Sequence, residues 1–247
     1  MKPGRPSPGR LFGVGVGPGD PELVTIKAAR LIRTAKVVAY FAATGRDSNA
    51  RRVIADTLNA PRELRLEYPV TTETLAPGVS YETLLMDFYD ESAKRIAELL
   101  DDGTDVVVIC EGDPFFYGSY MYLHTRLTGR YPTEVVPGVS SVLAGAAAIG
   151  APLVSRDEML CVLSGVLPAK ELEQRLRAAD AAVVVKVGRN LEKVRGAVTR
   201  AGLLDHATYV ERATMTNERV CALADADPTG APYFSMVIIP SRGAPTR

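Results

Sequence analysis

Cysteine and histidine are both scarce in this chain, and their scarcity limits the chemistry that it can perform. The three cysteines (Cys110, Cys161 and Cys221) lie far apart in apolar surroundings, so the sequence predicts reduced thiols rather than disulfides or a zinc site. Reduced thiols are typical of a cytoplasmic protein, which is the location that we expect. His124 and His206 are the only histidines. This excludes a histidine-rich metal centre, and we expect no bound metal.

Net charge and long apolar runs are absent as well. Lys plus Arg number 29, Asp plus Glu number 29, and the formal net charge is +0, which argues against a protein that binds nucleic acid by charge. No stretch reaches the roughly 18 consecutive apolar residues of a membrane span. Apolar residues make up 47% of the 247 and charged residues 23%. This is the composition of an ordinary globular protein with one large or two small domains.

Apolar runs alternate with helix-like segments along the chain, which predicts α/β architecture. We expect an N-terminal domain at 10–150 with a parallel sheet, preceded by a disordered tail at 1–9, and a C-terminal α/β domain at 151–242. A Thr- and Pro-rich segment at 67–81 is predicted to be a loop or lid. The strands are expected at 11–16, 37–41, 64–68, 105–110 and 133–136, and then at 159–164, 182–187, 207–210 and 234–239, with a further strand considered at 218–223.

The tripeptide Gly-Asp-Pro occurs twice, each time after one of these apolar runs. Asp20 lies in the copy after the first run, and Asp113 lies in the copy after the fourth. In open parallel sheets, ligands bind outside the carboxyl ends of the strands, where the strand order reverses. Two such turns on neighbouring strands would form a cleft that prefers a cationic or amine-bearing ligand over a phosphate.

A dinucleotide-binding loop is the obvious alternative, because alternate glycines begin at Gly13. The G-x-G-x-x-G fingerprint places Pro18 at its third glycine when counted from Gly13, and Asp20 there when counted from Gly15. Proline has no N–H to offer a phosphate. Asp20 is predicted to cap the next helix, with Pro21 at its first position. The pattern therefore argues against nicotinamide or flavin binding.

The segment Pro-Gly-Val-Ser-Ser at 137–141 completes a recognisable set of motifs. Together with the two Gly-Asp-Pro turns, it resembles the tetrapyrrole methylases, the S-adenosylmethionine-dependent enzymes of corrin and sirohaem synthesis. The resemblance extends over about residues 11–239. Within the family, segments 38–41, 45–51 and 111–123 are most similar to the members that methylate precorrin-2 at C-20.

This resemblance implies two α/β domains, a parallel-sheet N-terminal one and a mixed-sheet C-terminal one, with the cofactor in the cleft between them. It also implies a homodimer and a small-molecule tetrapyrrole substrate. S-adenosylmethionine is the expected cofactor, and Asp113 would accept a hydrogen bond from its ammonium or from a ribose hydroxyl. The cofactor contacts that the family pattern implies are Pro18, Gly112, Asp113, Ser140, Ser141, Val187 and Ala213.

Precorrin-2 carries several carboxylates, so its site should offer cations. Arg46, Arg51 and Arg52 follow the second strand and are our candidates for substrate binding, although a solvated surface also explains an isolated arginine. Tyr117 and Asp20 are candidates to assist loss of the C-20 proton. The plainer interpretations are that Asp20 caps a helix and that Tyr117 packs against its neighbours.

Three alternatives to methylation of metal-free precorrin-2 stay open. The substrate could be cobalt-precorrin-2, because a metal carried by the substrate needs no dedicated protein ligand. A methylase of a macromolecule, of the diphthamide or ribosomal RNA type, is a second alternative, and the balanced charge weakens the RNA version. A non-catalytic ligand-binding protein is the third, and the intact cofactor turns weigh against it.

Overall fold

The computed structural model describes residues 7–57, 62–69 and 80–243. The segment predicted as a loop or lid at 67–81 therefore lies mostly outside the described residues, and so does most of the predicted tail. Gly9 belongs to the fold, because it is buried and its N–H donates to the carbonyl oxygen of Leu100 at 2.8 Å. The predicted disordered tail at 1–9 is therefore wrong at Gly9. The chain divides into two compact units, Met1–Ser140 and Ser141–Arg247.

The first unit contains a sheet of five parallel strands. The strands are β1 (Leu11–Gly15), β2 (Val37–Ala43), β3 (Arg62–Tyr68), β4 (Val106–Cys110) and β5 (Thr133–Val136). Their order is β3-β2-β4-β1-β5, and all four pairings are parallel. The chain leaves β1 towards β2 and leaves β4 towards β5, which are opposite directions. The strand order therefore reverses between β1 and β4, and the predicted parallel sheet is confirmed.

Helices cover both faces of this sheet. The helices are α1 (Ile26–Thr34), α2 (Asn49–Val53), α3 (Tyr81–Asp101) and α4 (Tyr120–Leu127). Residues of α1 and α2 pack with Val14 on one face, and residues of α3 and α4 pack with Leu11 on the other. Because both faces are covered, β1 and β4 are buried at every position, as expected for a parallel sheet. Parallel crossovers are almost always right-handed, so crossovers that run in opposite directions along the sheet place helices on both of its faces.

The start of α1 differs from the prediction. Asp20 is an N-cap with Pro21 at the first position, as predicted, but it caps a short 3₁₀ turn and not α1. Its carboxylate accepts the N–H of Glu22 at 2.8 Å and caps a single 3₁₀ turn at Pro21–Leu23. Val24 and Thr25 are extended, which ends that turn, and the hydroxyl of Thr25 accepts the N–H of Ala28 at 3.2 Å to begin α1. A Thr N-cap satisfies one of the free N–H groups of the first turn.

The second unit has a mixed sheet, which confirms the predicted class of this domain. Its strands are β6 (Leu160–Ser164), β7 (Ala181–Val185), β8 (Thr208–Glu211), β9 (Arg219–Ala222) and β10 (Ser235–Ile239), in the order β6-β7-β10-β8-β9. The β6–β7 pair is parallel, and the other pairs are antiparallel. On one face lies α5 (Ser141–Ala148), and on the other lie α6 (Ala169–Ala178) and α7 (Leu191–Arg200).

Helix α5 groups with the second unit, whereas the sequence assigned it to the first domain. Its residues Val142 and Ala144 pack with Val183 and Ile238 of the second sheet. Gly145 permits this close approach, because a Cβ there would lie 2.6 Å from side-chain atoms of Ile238 and Met236. The compact units thus divide after residue 140, and the domain bounds of 10–150 and 151–242 stay a prediction.

The described residues include all three cysteines and both histidines. Cys110 is buried, Cys161 and Cys221 are half-buried, and all three are free. Within the described ranges, no group of three or more His, Cys, Asp or Glu side chains is placed to hold a metal ion. No helix in the described part of the chain has the length and apolar character needed to cross a membrane.

Candidate functional site at the edge of the parallel sheet

The two Gly-Asp-Pro turns meet at the point where the strand order reverses. Gly17, after β1, and Gly112, after β4, form an antiparallel bridge. The N–H of Gly112 donates to the carbonyl oxygen of Gly17 at 2.7 Å, and the N–H of Gly17 donates back at 3.3 Å. The sequence prediction that these turns are neighbours is confirmed. In an open α/β sheet, this is the position where a ligand is expected.

Backbone atoms, not side chains, form the closest contacts between the loops after β1, β4 and β5. A Cβ at Gly15 would lie 2.5 Å from the carbonyl oxygen of Gly112 and 2.6 Å from the nitrogen of Gly138. A Cβ at Gly138 would lie 2.0 Å from the same carbonyl oxygen. Only glycine fits at Gly15 and Gly138, so the three loops are held together as bare backbone. Such a surface offers N–H and C=O groups to the polar edges of a ligand.

Asp113 ties two of these loops together. Its Oδ1 accepts the N–H of Phe115 at 2.9 Å, and its Oδ2 accepts the N–H of Gly138 at 3.0 Å. The turn after β4 is thereby fixed to the loop after β5. Each carboxylate oxygen has a further lone pair, so the two backbone contacts leave capacity for a ligand. The predicted contact of Asp113 with an ammonium or ribose hydroxyl stays a prediction.

The other cofactor candidates of this region occupy different parts of the chain. Pro18 is buried next to the Gly17–Gly112 bridge. Ser140 ends the first unit, and Ser141 is the first residue of α5 in the second. Their roles in cofactor binding stay predictions.

Val187 and Ala213 lie at one edge of the second sheet. They follow β7 and β8, which run in the same direction because each pairs antiparallel with β10. Their relative exposures are 0% and 5%, so a ligand at this edge would contact their backbone rather than their side chains. The preceding residues, Lys186 and Arg212, have φ values of 57° and 49°. Strained backbone of this kind clusters at functional sites. The positive φ of Lys186 also explains why β7 ends at Val185, before the predicted end at 187.

The two residues predicted to assist proton loss have different surroundings. Asp20 is half-buried and caps its own 3₁₀ turn. Tyr117 is 45% exposed, has a φ of 58°, and lies beside two further exposed rings, Phe115 at 47% and Phe116 at 40%. Three exposed aromatic residues in sequence, directly after the Asp113 turn, form an apolar patch of the kind that marks a binding surface. Neither catalytic role is tested by this geometry.

The three candidate arginines do not form one cluster. Arg51 is bound to Glu63 by two hydrogen bonds, from Nε at 3.0 Å and from Nη2 at 2.9 Å. The hydroxyl of Tyr40 donates to the same carboxylate at 2.9 Å. The Arg51 guanidinium therefore holds the pKa of Glu63 below its usual value. The side chains of Arg46 and Arg52 lie in exposed positions. Substrate binding by these arginines stays a prediction.

Glu111 is a site residue that the sequence analysis did not select. It stands between β4 and Gly112, is half-buried, and its Oε1 accepts the N–H of Ala50 in α2 at 3.1 Å. Burial raises the pKa of its carboxyl. The signal in the sequence was a charged residue at the end of a fully apolar strand, directly before the Gly-Asp-Pro turn.

An aromatic cluster, which the sequence analysis also missed, lies near Glu111 at this edge of the sheet. Phe41 and Tyr68 stack with ring centroids 5.6 Å apart, and Tyr68 lies 4.7 Å from Phe88. The Tyr68 hydroxyl is hydrogen bonded to the hydroxyl of Ser119, and burial is the main cause that raises the pKa of Tyr68. The rings come from β2, β3 and α3, so the fold alone brings them together.

The fold is that of an α/β protein whose parallel sheet has a backbone-lined carboxyl edge, which is the position where open α/β sheets bind ligands. The sequence pattern of the family described as Tetrapyrrole (Corrin/Porphyrin) Methylases matches residues 10–226. The chain belongs to this family, as its motifs indicated.

Individual relatives have names that agree with the family. The chain is 49% identical to the Precorrin-2 C(20)-methyltransferase of Sinorhizobium sp, over 94% of this chain and 95% of that protein. It is 53% identical to the Cobalamin biosynthesis protein CobIJ of Mycobacterium tuberculosis, over 94% of this chain and 46% of that protein, so it spans about half of that relative. Identity to the Cobalt-precorrin-2 C(20)-methyltransferase of Salmonella typhimurium is 29%, over 94% and 96%.

A solved structure agrees with the fold along nearly the whole chain. The uroporphyrin-III C-methyl transferase from Thermus thermophilus, complexed with S-adenyl homocysteine, has a TM-score of 0.65 and 26% identity to this chain. The match covers 93% of this chain and 97% of that protein. The predicted architecture of two α/β domains is therefore confirmed.

Proposed function

We propose that this chain transfers the methyl group of S-adenosylmethionine to C-20 of precorrin-2, a step of cobalamin biosynthesis. The observation that carries this proposal is the 49% identity to the Precorrin-2 C(20)-methyltransferase of Sinorhizobium sp, which extends over nearly the full length of both proteins. The protein is an S-adenosylmethionine-dependent C-methyltransferase. We further propose that it acts in the cytoplasm as a homodimer, as its resemblance to the family implies.

The residues of the site fit S-adenosylmethionine. Its adenine has donor groups that suit the carbonyl oxygens of Gly17 and Gly112, because each of these oxygens accepts one hydrogen bond in the bridge and has a second lone pair. A Cβ at Gly15 or Gly138 would fill the space in which the loops meet. Asp113 supplies a carboxylate for the ammonium or a ribose hydroxyl. The full set proposed to hold the cofactor is Pro18, Gly112, Asp113, Ser140, Ser141, Val187 and Ala213.

The bound cofactor would supply an electrophilic methyl group on a sulfonium. The contribution of the chain is to position the acceptor, because an in-line displacement needs the attacking carbon about 3 Å from the methyl and aligned with the leaving sulfur. Precorrin-2 is a reduced macrocycle whose C-20 acts as an enamine-like nucleophile. The exposed rings of Phe115 and Phe116 offer it an apolar surface, and Arg46, Arg51 and Arg52 are the proposed cations for its carboxylates.

Methylation of cobalt-precorrin-2 is the second candidate. The Salmonella typhimurium relative named for that substrate is similar over 94% of this chain. A protein named for the cobalt complex therefore has a sequence similar to this one along nearly its whole length. This chain is 29% identical to that relative and 49% identical to the relative named for metal-free precorrin-2. The higher identity favours the metal-free substrate.

Anaerobic incubation with labelled S-adenosylmethionine tests this proposal. Metal-free precorrin-2 and its cobalt complex are supplied in parallel, and mass spectrometry counts the methyl groups gained. We expect one added methyl on metal-free precorrin-2 and slower methylation of the cobalt complex. Methylation of the cobalt complex alone would select the second candidate. Tight cofactor binding without methylation of either compound would refute both.

A further inference from the structure

One glutamate in the middle of the candidate site has no role in the proposed methyl transfer as described so far. Glu111 directly follows β4, the central strand of the first sheet, and begins the turn that carries Asp113. Its Oε1 accepts the N–H of Ala50 at 3.1 Å. The carboxyl is therefore held by a backbone contact from α2 at the edge where the three loops meet. The residue is half-buried, so part of its surface remains accessible to a ligand.

Burial of the Glu111 carboxyl favours uptake of a proton. Burial raises its pKa, while its own N–H and that of Ala50 act to lower it. Tyr68 faces it from β3, and the charge of Glu111 contributes to the raised pKa of that phenol. Cys110 of β4 responds to Glu111 in the same way, and the charge of Asp113 also acts on that thiol. A carboxyl in such surroundings binds a proton more readily than an exposed one.

Methylation at C-20 releases one proton, if the proposed function on which this inference rests is correct. The electron pair of C-20 forms the new C–C bond as the bond between the methyl and the sulfur breaks, and that pair leaves on the sulfur. C-20 then carries both its hydrogen and the methyl. The C–H bond breaks, its electron pair restores the conjugation of the macrocycle, and the proton needs an acceptor.

We propose that Glu111 is the catalytic base that receives the C-20 proton. Phe115, Phe116 and Tyr117, exposed by 40–47%, follow Glu111 in the same loop after β4 and present an apolar surface at this edge of the sheet. A macrocycle bound against this surface would lie at the edge of the sheet where Glu111 follows β4.

The test replaces Glu111 by Gln, whose amide oxygen still accepts the N–H of Ala50. Precorrin-2 deuterated at C-20 is mixed anaerobically with enzyme and S-adenosylmethionine in a single turnover. Mass spectrometry then measures the rate at which methylated product without deuterium appears. General bases contribute roughly 10²–10⁴-fold to rates, so we expect Glu111→Gln to form this product about 100-fold more slowly. Cofactor affinity by calorimetry should stay within about twofold, since no charge-assisted bond to the cofactor is removed.

The pH profile distinguishes a base from a structural residue. The wild-type rate should fall as the pH drops and Glu111 becomes protonated, and this acid limb should disappear in Glu111→Gln. Glu111→Asp keeps a carboxylate and should retain the limb at an intermediate rate. Glu67→Gln is the matched control. Glu67 lies in β3 and accepts the N–H of Gly45 at 3.2 Å, as Glu111 accepts that of Ala50, and the rate of Glu67→Gln should match the wild type.

Two outcomes would overturn the role of Glu111. One is an unchanged rate and pH profile in Glu111→Gln. The other is an equal loss of cofactor affinity and rate with the acid limb retained, which would mean that the side chain only supports the fold. If the wild-type enzyme itself methylated neither precorrin-2 nor its cobalt complex, the proposed function would be refuted, and the role of Glu111 with it.

Discussion

Replacement of Gly15 by Ala tests whether the bare backbone contact between three loops holds the site together. The added Cβ would lie 2.5 Å from the carbonyl oxygen of Gly112 and 2.7 Å from the Cα of Gly138. Ordinary contact begins at 3.4 Å, so the loops must separate by about 0.9 Å at the closest pair. All of these neighbours are backbone atoms, which cannot rotate away as a side chain can.

The expected cost of this overpacking is about 1–3 kcal/mol of unfolding free energy. For a protein of this size, that corresponds to a fall in melting temperature of about 2–12 °C. A displacement near 1 Å at a reacting centre lowers rates by about 100-fold, so kcat for methylation should fall by a similar factor. Differential scanning fluorimetry and a single-turnover methylation assay measure the two effects.

Gly129→Ala provides the control for this substitution. Gly129 lies between α4 and β5, and a Cβ there would meet no atom within 4 Å. We expect its melting temperature and activity to equal those of the wild type. If Gly15→Ala had the same melting temperature and activity as Gly129→Ala, the loops would accommodate a Cβ at Gly15. Direct backbone contact between the three loops would then not be what holds the site together.

The remaining predictions concern charged groups. Asp113→Ala should weaken S-adenosylmethionine binding at least tenfold in calorimetry, because a charge-assisted hydrogen bond is worth about 1.5–3 kcal/mol; an unchanged dissociation constant would exclude that role. Arg51→Ala should raise KM for the tetrapyrrole and leave cofactor affinity unchanged, whereas equal loss of both would indicate that its pairing with Glu63 is needed for folding. Because the pKa of Glu63 is lowered in the folded state, its contribution to stability is present above about pH 4.3 and is lost as the pH falls further. The melting temperature of Glu63→Gln should therefore fall less than that of the wild type between about pH 5 and 3, and parallel curves would contradict this.

The sequence was sufficient to predict the fold and the position of the turns. Fully apolar runs such as 106–110 are typical of strands buried on both faces, and the repeated Gly-Asp-Pro turns mark where two of them end. Helix α2 was missed because its five residues are too few to show a helical period. The start of α1 was misplaced because Pro21 and Asp20 form a complete helix-start signal, although it leads only to a 3₁₀ turn.

Contacts between distant segments could not be predicted from the sequence. The pairing of Arg51 with Glu63 joins α2 to β3, and no local pattern predicts which carboxylate an arginine selects. The environment of Glu111 likewise depends on Ala50 and Tyr68, which come from other elements. The glycines were visible in the sequence, but the requirement for glycine at Gly138 follows only from its distance to Gly112 in the folded chain.

The most direct test of the account is the position of the transferred methyl group. Precorrin-2 is incubated anaerobically with the enzyme and S-adenosylmethionine labelled with carbon-13 in its methyl group, and the product is analysed by carbon NMR. We predict a single labelled methyl resonance whose protons show a two-bond proton–carbon correlation to C-20 of the macrocycle. A labelled methyl at another carbon would contradict the proposed reaction, and so would an unlabelled product from an enzyme that binds the cofactor.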